Sequence, residues 1–177
     1  MTTPAMLTVH DIERLFALLN DELASADTHA ELYLVGGAAM CLALGARGAT
    51  RDVDAYFKPS TIVREAAARV ALRTGLPTTW LNDAVKAYLG DKGRFAPWWS
   101  GSHVEVFVAE PDYLLAMKCM AMRIGADSRD LDDLRFLLRH QDVSRVSDAL
   151  AIVARYFDEQ EIPLKTRLAL EELLPEA

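Results

Sequence analysis

Two short patterns in this chain combine the residue types that hold phosphate and divalent metal. Gly36 and Gly37 follow an apolar run, and glycine lets the backbone approach a phosphate chain without interference from a Cβ atom. Asp52 lies fifteen residues after the second glycine, and Asp54 follows two positions later. Carboxylates are ligands that Mg²⁺ and Mn²⁺ prefer in proteins. The two patterns together predict a site where a phosphate chain meets a metal ion.

The spacing of the two aspartates predicts that their side chains project together. Val53 to Phe57 has the composition of a β-strand, and residues two apart on a strand point to the same face, with Cα atoms about 7 Å apart. At roughly 4 Å and an effective dielectric near 20, two such carboxylates repel each other by about 4 kcal/mol. A pair of Mg²⁺ ions about 4 Å apart would convert that repulsion into attraction and could stabilise an in-line displacement at an α-phosphate.

The glycines are predicted to form the turn between a strand and a helix. Leu32 to Val35 is a short apolar run typical of a buried strand, and the small residues from Ala38 to Leu44 favour a helix. Unpaired amides at the start of a helix attract anions. Periodicity predicts the other elements: an opening helix over 8–23 with a capping box at Thr8 and Asp11, a helix over 60–75, a third strand over 103–108, and helices over 111–123, 128–139, 147–157 and 163–174. Residues 77–101 are predicted to form loops and short elements.

This order of elements favours an α+β (or α/β) fold. We expect a small mixed β-sheet flanked by helices, followed by a helical C-terminal half. The domain prediction is a core over residues 1–110 that includes the N-terminal helix, with a helical part over 111–177 packed on that core as one compact unit. A chain of 177 residues with 51% hydrophobic residues is long enough for such a core.

Composition excludes some classes of function. The net charge of -7 argues against a general nucleic-acid coat protein, because nonspecific affinity for a polyanion comes from lysine and arginine. Cys41 and Cys119 lie in apolar stretches without a CxxC pair, which indicates reduced, buried thiols and a cytoplasmic location. The longest uncharged run, over 32–46, is shorter than a membrane span, so we expect no membrane partner. The four histidines form no HExxH or similar ligand set, so a zinc site is not expected.

The glycine pair, the intervening Thr50-Arg51 and the Asp-x-Asp pattern together resemble the signature of the DNA polymerase beta-like nucleotidyltransferase superfamily. A second stretch, Leu114 to Ala121, looks like the KxxA segment of the minimal nucleotidyltransferases. The following stretch, Arg129 to Leu134, is similar to their basic-residue-DxxD segment. These are the AbiEii-like proteins, which include toxins of toxin-antitoxin systems. The resemblance covers roughly residues 31–138.

The resemblance implies a role for each matching residue. It assigns nucleotide phosphates to Gly36 and Gly37 and catalytic Mg²⁺ or Mn²⁺ to Asp52 and Asp54. Lys118 would contact phosphate and act in catalysis. The remaining matches are the further acid of the helical segment, Asp130 or alternatively Asp133, and a third metal carboxylate on a later strand, for which Glu105 is the candidate.

Several of these assignments have a structural alternative. Glu105 could be a solvated glutamate on an edge strand. Lys118 could extend its ammonium to solvent while its stem packs on neighbours. Arg47 and Arg51 could clamp phosphate or an RNA end, although surface arginines usually do neither. The Trp98-Trp99 pair could stack a nucleobase or fill the edge of the core.

The leading functional hypothesis is a metal-dependent nucleotidyltransferase. It would move a nucleoside monophosphate from a nucleoside triphosphate to an acceptor hydroxyl and release pyrophosphate. The resemblance implies a tRNA 3′ end as one acceptor and an antitoxin as a partner, and a protein hydroxyl is a further acceptor. Many family members have serine at the position of Gly37, so the alternative is a weak or inactive member of the fold that binds a nucleotide or a protein.

Overall fold

The computed structural model describes residues 6–123 and 129–174, except for the side chains of residues 87 and 88. The prediction of an α+β fold is confirmed, because the chain combines helices with a mixed five-stranded sheet. The chain divides into two compact units. The first comprises Met1–Ala87 and Phe95–Ala109, and the second comprises Tyr88–Arg94 and Glu110–Ala177. The prediction that the helical part packs on the core as one unit stays a prediction.

The first unit contains all the strands of the described chain and three helices. The strands are β1 (Leu7–Thr8), β2 (Ala30–Leu34), β3 (Ala49–Thr50), β4 (Val53–Lys58), β5 (Leu81–Asn82), β6 (Phe95–Ser100) and β7 (Val104–Ala109). The helices are α1 (Val9–Ser25), α2 (Gly36–Leu42) and α3 (Ser60–Thr74). The main sheet has the order β5-β4-β2-β7-β6, and β1 pairs separately with β3.

Strand β2 lies at the centre of the main sheet. It pairs in parallel with β7 and antiparallel with β4, while β5 runs parallel to β4 and β6 runs antiparallel to β7. One face of the main sheet lies against the core of this unit. Alternate residues of the strands are buried on this face, including Val53, Ala55 and Phe57 of β4. The intervening residues of β4, Asp54 and Tyr56, are half-buried on the other face.

Helix α1 covers the core as its periodicity predicts. The capping box is confirmed, since the Thr8 hydroxyl accepts from the Asp11 amide and the Asp11 carboxylate accepts from the Thr8 amide. The helix packs against α3 and β7. Its buried residues are those of the predicted apolar stripe: Ile12, Leu15, Phe16, Leu19 and Leu23.

Strand β6 lies in the stretch that was predicted to be loops and short elements. It pairs with β7, and its register shifts between Pro97 and Trp99. Proline is tolerated at an edge strand or a bulge, but it conceals the alternation by which a strand is recognised in a sequence. The rings of Trp98 and Trp99 lie 6.3 and 6.0 Å from the Phe16 ring of α1. The tryptophan pair therefore packs at the edge of the core.

The second unit is helical, as predicted. Its helices are α4 (Pro111–Ala121), α5 (Asp130–His140), α6 (Val146–Ala154) and α7 (Leu164–Leu173), and the predicted start of α5 at residue 128 lies outside the described residues. Helix α4 packs against α5 and α6. Both cysteines of the chain, Cys41 of the first unit and Cys119 of this one, are free and buried, and burial raises the pKa of the Cys119 thiol to about 12. Among the helices of the described residues, none is both long and apolar enough to cross a bilayer.

Candidate active site

The turn between β2 and α2 is shaped by Gly36. The amide of Val35 donates to the Asp54 carbonyl at 3.0 Å, which extends the pairing of β2 with β4 up to the turn. Gly36 then has a φ of +60°, a conformation that costs other residues about 1–2 kcal/mol. A Cβ atom at Gly36 would lie 2.9 Å from Oδ2 of Asp54. The Asp54 carboxylate therefore lies directly against the backbone of the turn.

The structure brings Asp52 and Asp54 together beside this turn. Asp54 lies in β4, whereas Asp52 lies in the bend that precedes the strand, and both side chains are half-buried. Burial raises the pKa of the Asp52 carboxyl, and the negative charge of Asp54 raises it further, while Arg51 acts in the opposite direction. The two charges are close enough to interact, but Asp52 lies before β4, so projection of both acids from one face of a strand stays a prediction.

Gly37 is approached by Thr50 and Arg47. A Cβ atom at Gly37 would lie 2.7 Å from Oγ1 of Thr50 and 3.2 Å from Nη1 of Arg47. Thr50 is 4% exposed, and its hydroxyl donates to the Asp52 carbonyl at 3.2 Å. Sequence reasoning gave Thr50 no role. Its place beside Arg51 in the motif that carries the resemblance was its signal in the sequence, and the contact with Gly37 depends on the fold.

Glu105 lies away from the two aspartates. In the register of the sheet, Glu105 of β7 is beside Glu31 of β2, which is opposite Lys58 of β4. Lys58 follows Asp54 by four residues, so Glu105 and Asp54 are separated by about 13 Å along the strand direction alone. Glu105 is exposed, as a solvated glutamate would be, but β7 lies between β2 and β6, so the expectation of an edge strand is wrong. Within the described part of the chain, no group of three or more His, Cys, Asp or Glu residues is arranged to hold a metal ion.

Lys118, Asp130 and Asp133 form an ion cluster within the second unit. The Lys118 ammonium lies 2.9 Å from Oδ1 of Asp130 and 2.7 Å from Oδ2 of Asp133. Asp130 also accepts from the Arg123 amide at 2.9 Å. The two aspartates are 6% and 5% exposed, so Lys118 compensates buried negative charge. Both acids bind the same ammonium, and the phosphate contact of Lys118 stays a prediction.

An aromatic surface that the sequence analysis missed lies on the same face of the sheet as Asp54. The Tyr33 ring packs against Tyr56 at 6.0 Å and against Phe107 at 5.0 Å. Nζ of Lys86 lies 5.9 Å from the centre of the Tyr56 ring. The only sign of this aromatic surface in the sequence was the alternation of the aromatic residues along strands. The same alternation is also typical of ordinary packing between strands.

A surface cavity of about 520 Å³ lies at the opposite end of the strands from the glycine turn. Neither the two aspartates nor the two glycines line it, so the cavity and the candidate site are distinct. The polar residues that line it are His29, Glu31, Lys58, Ser102, His103 and Glu105.

Comparison with known proteins found no matching family model, no matching curated protein and no matching solved structure.

Proposed function

We propose that this protein is a metal-dependent nucleotidyltransferase. The observation that carries the proposal is the contact of the Asp54 carboxylate with the Gly36 turn, with Asp52 beside it. A carboxylate at this distance from a backbone turn can share a metal ion with a phosphate chain that lies along the turn. The order of the motifs along the chain supports the same function, because it resembles that of the polymerase beta-like superfamily.

The two aspartates fit a magnesium or manganese ion. Mg²⁺ is usually bound by one or two carboxylates together with substrate phosphates and water, so a pair of acids is a sufficient protein donor set. Burial and then the charge of Asp54 raise the pKa of Asp52, and a cation between the acids would relieve the charge repulsion. A bound metal would stabilise the charge that develops on the phosphate oxygens.

The chain's own groups would act on the substrate in two ways. Asp52 and Asp54 would hold the metal ion, and the backbone at Gly36, together with Arg51, would bind the triphosphate. The oxygen of the acceptor hydroxyl then forms a bond to the α-phosphorus. The bond from that phosphorus to the bridging oxygen breaks, pyrophosphate leaves, and the hydroxyl proton passes to water.

The acceptor and the partner are proposed from the resemblance alone. They are the 3′ end of a tRNA and an antitoxin, with the protein acting as the toxin of a cytoplasmic toxin-antitoxin pair. A net charge of -7 requires that a tRNA be bound through local contacts. The resemblance also assigns Lys118 and Asp130 to the reaction, and a protein hydroxyl stays the alternative acceptor.

The test is transfer of label from each α-labelled nucleoside triphosphate, in Mg²⁺, to total tRNA or to protein. The wild type should transfer label, and Asp52→Asn and Asp54→Asn should each lose this activity. Asp21→Asn is the matched control, because Asp21 is an exposed aspartate on α1 of the same unit. Activity that survives in both site variants would refute the proposal.

The second candidate is a nucleotide-binding or protein-binding module without turnover. It is favoured by the position of Glu105, which leaves the site with two carboxylates instead of three. The same experiment separates the two candidates when nucleotide binding is measured beside transfer. Binding that requires Asp52 and Asp54 without any transfer would favour the module, and the absence of both activities would refute both candidates.

A further inference from the structure

The two glycines of the turn differ in what their missing side chains make possible. Gly36 has a positive φ, whereas the φ of Gly37 lies outside the range that L-residues avoid, so backbone conformation alone does not require glycine at position 37. Glycine is required at position 37 because there is no space for a Cβ atom. A Cβ atom there would lie 2.7 Å from the Thr50 hydroxyl, while the Cβ atom of Thr50 itself would lie at an ordinary 3.7 Å. The other near atom, Nη1 of Arg47 at 3.2 Å, is the end of a long side chain, so the most severe contact is with the Thr50 hydroxyl oxygen.

That hydroxyl has little freedom to move away. Thr50 is 4% exposed, and its backbone is paired with Leu7 in the small sheet of β1 and β3. Its hydroxyl donates to the Asp52 carbonyl at 3.2 Å. Rotation of the side chain to avoid a new Cβ atom at Gly37 would break this hydrogen bond, which closes the bend before β4.

The bend matters because Asp52 precedes the strand. The ladder of β4 begins at Val53, whose amide donates to the Trp80 carbonyl at 2.7 Å, and Asp54 is paired with Asn82 of β5. Asp54 is thus positioned by the sheet. The backbone of Asp52 is held by the Thr50 hydroxyl.

We infer that Thr50 is a positioning residue for Asp52, and that residue 37 is glycine in order to admit the Thr50 hydroxyl. The inference rests on the proposed function, since it concerns the geometry of the proposed metal-binding pair. It assigns Gly37 a steric role in place of the phosphate contact that the family resemblance implies. Gly37 then leaves space for the Thr50 hydroxyl, and that hydroxyl holds the backbone of Asp52. A substitution at Gly37 or Thr50 should therefore disturb the position of Asp52.

The experiment compares four variants with the wild type: Thr50→Ser, Thr50→Ala, Gly37→Ala and Gly37→Ala/Thr50→Ala. Mn²⁺ affinity is measured by electron paramagnetic resonance, and stability by urea unfolding. Thr50→Ala should weaken Mn²⁺ binding about five-fold, the effect of one net hydrogen bond, and Thr50→Ser should retain wild-type affinity. Gly37→Ala should weaken binding similarly and should also destabilise the fold.

The double variant distinguishes positioning from a general structural effect. Because the Thr50 Cβ atom would lie at an ordinary distance, Gly37→Ala should cost much less stability when residue 50 is alanine. Its Mn²⁺ affinity should equal that of Thr50→Ala. Equal destabilisation in both backgrounds, or Thr50→Ala that binds Mn²⁺ as the wild type does, would overturn the inference. A wild type that binds no Mn²⁺ would refute the proposed function instead, and the stability coupling of residues 37 and 50 would then decide the steric inference alone.

Discussion

Replacing Gly36 with alanine tests the contact on which the proposed function depends. Two costs should add in this variant. A non-glycine residue at φ +60° costs about 1–2 kcal/mol. The new Cβ atom, 2.9 Å from Oδ2 of Asp54, must also displace a half-buried carboxylate, and overpacking of this kind costs about 1–3 kcal/mol. The free energy of unfolding should therefore fall by about 2–5 kcal/mol.

Gly45 provides a matched control in the same unit. Its φ is +58°, and a Cβ atom there would have no neighbour within 4 Å. Gly45→Ala should thus show the backbone cost alone, about 1–2 kcal/mol. The assay is urea unfolding followed by tryptophan fluorescence, because all three tryptophans, at positions 80, 98 and 99, lie in the first unit and report on its unfolding.

Metal binding gives a second measurement on the same pair of variants. Displacement of the Asp54 carboxylate should weaken Mn²⁺ binding by about ten-fold or more in Gly36→Ala, whereas Gly45→Ala should bind Mn²⁺ as the wild type does. In Gly36→Ala/Asp54→Ala the extra cost in stability should disappear, leaving the backbone cost. The reasoning is wrong if Gly36→Ala and Gly45→Ala lose equal stability and retain equal affinity for Mn²⁺.

Two further predictions concern charge. Burial and the Asp54 charge raise the pKa of Asp52 above its ordinary value of 3.8. Protonation of Asp52 therefore stabilises the folded state: this contribution is fully present below pH 3.8 and is lost as the pH rises through the raised pKa. Asp52→Asn should consequently be more stable than the wild type at pH 7, with a difference that shrinks toward pH 4 in urea unfolding; a constant difference would contradict this account. Lys118→Met should lower the free energy of unfolding of the helical unit by about 3–5 kcal/mol, because it removes the cation that two buried acids share. Unfolding followed by far-UV circular dichroism measures this loss. Adding Asp133→Asn should recover part of that loss, and a single variant as stable as the wild type would contradict the buried-cluster interpretation.

The sequence predicted most of the helices and the strands that carry the site, since periodicity and capping are local signals. Helix α1 shows this well, because its capping box and apolar stripe are both visible along the chain. Strand β6 was missed because Pro97 and the bulge interrupt its alternation. The aspartates and glycines of the site were predicted from motif spacing, whereas the Thr50 contact required knowledge of how β3 approaches α2.

Glu105 illustrates the limit of reasoning from single strands. The sequence correctly placed it on a strand, but its distance from the aspartates depends on register between strands. That register is determined by pairing across β2, which no local pattern contains. Leu34 of β2 is paired with Val108 of β7, and the next residue of β7 is Ala109. At the level of the turn, this strand therefore carries a methyl group.

The register of β4 against β2 also explains why Asp54 contacts Gly36, because this register is set by the burial of apolar residues in the core. Leu34 is paired with Ala55, and this places Asp54 beside the first residues after β2. A slip of β4 by one residue would turn Val53, Ala55 and Phe57 out of the core and Asp54 into it, because side chains alternate between the two faces. Burial of these apolar residues therefore specifies both which face the carboxylate occupies and which backbone atoms it meets. The geometry proposed for metal binding is thus maintained by residues that would never touch the metal, and a polar substitution at Ala55 should abolish Mn²⁺ binding together with the fold of the first unit, whereas exposed substitutions on α1 should change neither.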